Sequence, residues 1–140
     1  MDRRTSLIVR EVCRLIIPAV MLFALYVQFH GEYGPGGGFQ AGVIFAAAVI
    51  LYALVHGRQK AQQILPTNTV VRFIVAGILL YAGVGVTTMV MGGNFLDYDV
   101  LLHGHQQAQH LGIFLIELGV GITVGAVMIA IFYTLDEFSE

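Results

Sequence analysis

The 140-residue chain has no tryptophan, a single cysteine (Cys13), three prolines and only 11% charged residues. Each shortage excludes something. One cysteine rules out an intramolecular disulfide and any multi-cysteine zinc or iron–sulfur centre. Soluble domains carry about 25% charge, so a chain this poor in charge and 57% apolar, with mean hydropathy +0.80, is not an ordinary soluble domain. The formal charge of −2 gives no basic field for nucleic acid. No tryptophan is available to line an aromatic pocket.

What is present is apolar length. A bilayer core needs about 20 mostly apolar residues, and four runs supply them at 12–29, 39–55, 73–91 and 111–133. None alternates with period two as a barrel strand does. Lipid cannot satisfy backbone groups, so the runs are expected to be helices. The predicted fold is therefore an all-α integral membrane protein, one domain over 1–140, with four transmembrane helices.

The charges orient it. All seven basic residues fall before or at the start of the first run (Arg3, Arg4, Arg10, Arg14) or around the second connection (Arg58, Lys60, Arg72). By the positive-inside rule both termini and that connection are expected in the cytoplasm. No small-x-small cleavage site follows the first run, which is read as an uncleaved helix rather than a signal peptide.

Small residues mark faces of close helix approach in lipid. Gly38, Gly42 and Ala46 form one such face, and Gly121 and Gly125 another. These faces serve either packing within the chain or contact with foreign subunits. Immediately before the second run stands Gly34-Pro35-Gly36-Gly37-Gly38-Phe39-Gln40-Ala41-Gly42. It matches a relaxed dinucleotide fingerprint, but that fingerprint requires a preceding strand, and a membrane helix precedes it here. Pro35 fixes φ while the glycines permit positive φ, so a sharp re-entry turn and close approach by another backbone are both expected.

Glu117 is the one carboxylate inside any of the four runs. An acid at membrane depth is costly unless paired or hydrated, so it is a functional candidate. His110, seven residues earlier, and Gly121, four later, share its helical face. The trio offers a proton- or cation-binding carboxylate with a proton exchanger at its mouth, or else an anchor that locks assembly. His103, His105 and His110 with Asp97 and Asp99 lack the specificity of a metal site, and no metal or cofactor is expected. Thr87, Thr88 and Thr123 are expected to bond their own helix backbones. No catalytic constellation of soluble-enzyme type is visible.

Taken together, GPGGGFQAG at 34–42 and Gly112-Ile113-Phe114-Leu115-Ile116-Glu117-Leu118-Gly119-Val120-Gly121-Ile122-Thr123-Val124 closely resemble the MnhB/MrpB family. These are the B subunits of multisubunit Mrp-type cation/proton antiporters. The resemblance covers essentially the whole chain. It implies a prokaryotic plasma-membrane complex exchanging Na+ for H+ and driven by the proton motive force. It also implies partners among the A, C, D, E, F and G subunits, especially the C-terminal region of A and the C subunit. A transporter subunit rather than an enzyme is expected. Pro35, Phe39 and Glu117 carry over as positions of interest from the family motifs. The family is also similar to subunits of membrane-bound hydrogenases, so a hydrogenase-type complex and a purely structural scaffold stand as alternatives. A self-contained exporter of identical copies fits less well, since such exporters place their acid in the first span.

Overall fold

A computed structural model describes residues 3–30, 37–90 and 105–139, with the backbone alone described at Thr5 and at 105–110. Five helices follow in chain order: α1 (Arg3–Phe29), α2 (Gly38–His56), α3 (Arg58–Ile64), α4 (Thr67–Val90) and α5 (His105–Ser139). No strand occurs among the described residues. Four segments are long and apolar enough to cross a bilayer: Ser6–Phe29, Gly38–His56, Thr67–Val90 and Leu111–Ser139.

Every expected run lies within one of these helices, apart from Met91, which falls outside the described residues. The helices are longer than the runs. Hydropathy marks where apolar side chains begin, whereas a helix continues as long as its backbone can bond to itself. Residues 3–11 of α1 contain no breaker, so the helix begins nine residues before the apolar run. Pro18 lies inside α1; its missing N–H and kinking tendency are tolerated in membrane helices, where neighbours re-satisfy the freed groups.

Punctuation comes from two glycines. At the start of α2 the Gly37 N–H donates to Oε1 of Gln40 at 3.0 Å, so the side chain reaches back over the first turn. At its end, Gly57 adopts φ 99°, in the left-handed region, and its N–H donates to the Ala53 carbonyl at 2.8 Å. That reversal launches α3, which hydropathy alone does not anticipate. Seven residues, RQKAQQI, are too few and too polar to register as a span. The turn is held from α5: Arg58 Nε donates to Asp136 Oδ2 at 2.9 Å, and the Tyr133 hydroxyl donates to the Leu65 carbonyl at 3.1 Å.

In packing order, α1 lies on α2, α2 on α5, and α5 on α4, with only slight contact between α1 and α5. The two central helices thus carry the two motifs, and α1 and α4 flank them. The main core gathers Ala46, Val49 and Ala53 of α2, Ala61 of α3, Val70 of α4, and Ala126, Ile129 and Tyr133 of α5. A smaller cluster joins Cys13 and Ile17 to Ala48. Because the flanking helices pack on different partners, a trough of about 680 Å³ is left along α2 and α5. The Arg58–Asp136 pair ties the second connection to the last turns of α5.

Candidate functional site

The two sequence motifs meet where the N-terminus of α2 crosses α5. A β-carbon on Gly38 would collide with the backbone carbonyl oxygen of Glu117 and lie 2.9 Å from its carbonyl carbon. On Gly37 it would lie 3.1 Å from Oε1 of the same residue. Gly38 is therefore required for space, whereas a β-carbon on Gly37 would press only on the flexible end of the Glu117 side chain. Gly37 has φ −151°, which is extended backbone open to most residues, so it does not use the positive φ that glycine permits. Pro35 and Gly36 fall outside the described residues.

One turn on, the same seam continues. A β-carbon on Gly42 would sit 2.6 Å from the Gly121 carbonyl oxygen and 3.1 Å from the Gly125 nitrogen, and one on Gly125 would sit 3.2 Å from the Gly42 carbonyl oxygen. Gly38, Gly42, Gly121 and Gly125 are thus spent on contact between α2 and α5 of this chain. A second seam joins α4 to α5, where Gly77 abuts the Thr123 side chain and Gly119. Thr123 donates to the Gly119 carbonyl at 2.8 Å, Thr87 to Gly83 at 2.7 Å and Thr88 to Gly85 at 2.7 Å. All three bond their own helices, as expected.

Glu117 is half-buried and its carboxylate lies against the first residues of α2. The first amides of a helix have no intrahelical acceptor, and the aligned peptide dipoles make that end positive. A carboxylate there is stabilised by about 0.3–1 kcal/mol, and by more when partly buried.

His110 continues α5 toward the loop, but its side chain lies outside the described residues, as do His103, Asp97 and Asp99 altogether. Phe39, on the first turn of α2, is 59% exposed. Sequence reasoning passed over Gln28. It is 7% exposed, and its Oε1 would stand 2.5 Å from a β-carbon on Gly121. A glutamine at the end of an apolar run looks like a helix terminus meeting water; only the third helix packed over it makes it an interior group. Near it, Phe29 and Phe114 stack at 5.7 Å between centroids, closing α1 onto α5.

Residues 8–130 match a family model described as a domain related to the MnhB subunit of Na+/H+ antiporter. The chain belongs to the MnhB family. Along 97% of its length it is 28% identical to the B subunit of the Na(+)/H(+) antiporter of Bacillus subtilis (strain 168), covering 96% of that protein. It is 29% identical to the putative antiporter subunit mnhB2 of Staphylococcus aureus (strain Newman), with 96% of each chain covered. A putative antiporter subunit mnhB2 of Staphylococcus haemolyticus (strain JCSC1435) matches at 28%, again over 96% of each. Similarity of this extent, together with four spanning helices, makes this MnhB-family chain a multi-pass membrane protein.

Proposed function

We propose that this MnhB-family chain is a small subunit of a multisubunit Na+/H+ antiporter in the prokaryotic plasma membrane, a transporter component rather than an enzyme. Family membership and the names of its relatives support the assignment. The termini and the Arg58-bearing connection face the cytoplasm, in keeping with the basic residues gathered there. Its neighbours are other antiporter subunits, with the C-terminal region of the A subunit and the C subunit foremost. The Pro35–Phe39 segment, with the exposed Phe39 ring, lies at that contact, and His110 exchanges protons at the mouth of the path.

Within the complex, Glu117 flanks the ion path or couples to it. The observation that carries this reading is the carboxylate set against the N-terminus of α2 at Gly37. When Glu117 is charged, it clamps α2 to α5; when a proton or cation neutralises it, the clamp loosens. Purely structural clamping is the second reading, favoured by the backbone contact between Gly38 and Glu117, which persists whatever the side chain's charge.

Replacing Glu117 with Gln separates the two, because the amide keeps the size and loses the charge. Antiport measured in everted vesicles, divided by the amount of assembled complex, should fall about fivefold or more, the lower end of ordinary coupling energies. Full activity per complex would leave only the clamp. Co-purification of the tagged chain with large multi-span subunits and without metal-cluster proteins supports the antiporter over a hydrogenase-type assembly.

A further inference from the structure

Beside the second connection, basic side chains from three helices gather. Val9 of α1 packs with Tyr52 and Val55 of α2 around the cluster of Cys13, Ile17 and Ala48. That contact brings Arg10, next after Val9, to the level of His56, next after Val55. The Gly57 reversal turns the chain back into α3, and both Lys60 of α3 and Arg10 of α1 stand within electrostatic reach of the His56 imidazole. Tyr52 meets that ring edge-on at 4.5 Å between centroids. Arg14 lies one turn further along the Arg10 face of α1.

These groups lack counter-charges. The nearby Asp136 is engaged by Arg58, and Arg10, Arg14 and Lys60, all exposed, make no ion pair among the described residues. Glu11 sits about 100° around α1 from Arg10 and pairs with neither arginine. Like charges held together by packing repel one another, and an anion shared among them relieves the repulsion. Depth identifies the anion. Arg10 precedes the first apolar run by two residues, Arg14 lies inside that run, and His56 is the last residue of its span. In a bilayer this is the level at which hydrocarbon meets headgroups, and basic side chains there extend to the lipid phosphates. We propose that Arg10, His56 and Lys60 bind the phosphate of an anionic phospholipid, with Arg14 reaching the same headgroup from one turn deeper. The guanidinium fork offers parallel donors to the phosphate oxygens, Lys60 a compact charge and His56 a ring N–H. A zwitterionic lipid would bring one more cation into the cluster, so the site prefers a headgroup without an ammonium.

The test reconstitutes the assembled complex in phosphatidylcholine vesicles, with a genetically encoded fluorescent amino acid at the exposed position of Gln59. Quenching is titrated with phosphatidylglycerol or phosphatidylcholine, each carrying a nitroxide near the carbonyl end of one acyl chain. Phosphatidylglycerol should reach half-maximal quenching at a mole fraction roughly tenfold lower or more. Arg10→Gln and Lys60→Gln should each give back about fivefold of that preference, whereas Arg10→Lys and Lys60→Arg, which keep the charge, should retain most of it. Raising the ionic strength should narrow the gap in the unsubstituted chain, a readout that needs no variant to fold. The same fluorophore at Leu135, 63% exposed and next to Asp136 and Glu137, should be quenched equally by both lipids. Equal quenching at position 59, or a preference that survives removal of both charges, would overturn the proposal. So would a carbodiimide crosslink from Lys60 to a carboxylate of another subunit with neither lipid reaching position 59, since the cluster would then be a protein contact.

Discussion

A β-carbon at Gly38 would fall on the backbone of Glu117, whereas one at Gly83 would meet nothing within 4 Å. Both glycines sit in apolar helices, and composition cannot tell them apart. Gly38→Ala forces α2 away from α5 and should cost about 1–3 kcal/mol as overpacking does. Gly83→Ala relieves backbone entropy in an exposed helix position and should be neutral or stabilising by about 0.5–1 kcal/mol. Thermal unfolding of the two variants in mild detergent, side by side, checks the ordering; equal melting points would mean that the α2–α5 seam is not limiting. Glu117 was legible as a candidate because a lone carboxylate in an apolar run is anomalous by itself. Its partner was not, since the approach of Gly37 depends on how two helices far apart in sequence are rotated against each other.

Among the elements, α3 shows what a hydropathy reading misses. It is short and polar, yet it places Ala61 in the main core at 2% exposure and is tied to the far end of the chain through Arg58 and Asp136. Arg58 and Asp136 are 12% and 33% exposed, so the pair is partly shielded and should be worth about 1 kcal/mol. A double-mutant cycle with Arg58→Ala and Asp136→Ala, read by detergent melting, should show coupling of that size; additive losses would make the contact incidental. The Gly57 reversal belongs to the same element. A side chain at φ 99° is strained, so Gly57→Ala should cost about 1–2 kcal/mol and release α3 from the end of α5, seen as faster proteolysis at Lys60. The helices themselves were readable, because a long apolar run in lipid has no other way to satisfy its backbone.

For the molecule as a whole, the topology makes a prediction independent of any single contact. In a Cys13→Ala background, cysteines placed at Lys60 and Glu137 should react with an impermeant maleimide only from the cytoplasmic side, and one at Tyr33 only from the opposite side. Reaction of Lys60 and Glu137 from different faces would break the four-span arrangement. The flanking positions of α1 and α4 leave a broad apolar surface, with Leu15, Leu22, Leu79 and Val90 all exposed. Lipid or other subunits cover such a surface, in keeping with a chain that works inside a larger assembly.

By itself the sequence determined the helical membrane fold, the number of apolar spans and the residues worth watching, because each of these follows from properties of one segment at a time: its apolar length, its misplaced acid. The tertiary structure decided which glycines face which, that Glu117 lies against the start of α2, that Gln28 is an interior group, and that α1 and α4 stand apart over a trough. Those outcomes depend on the relative rotation and depth of helices distant in sequence. In lipid, where every helix face is nearly equally apolar, only close packing and a few polar contacts choose among the possible rotations.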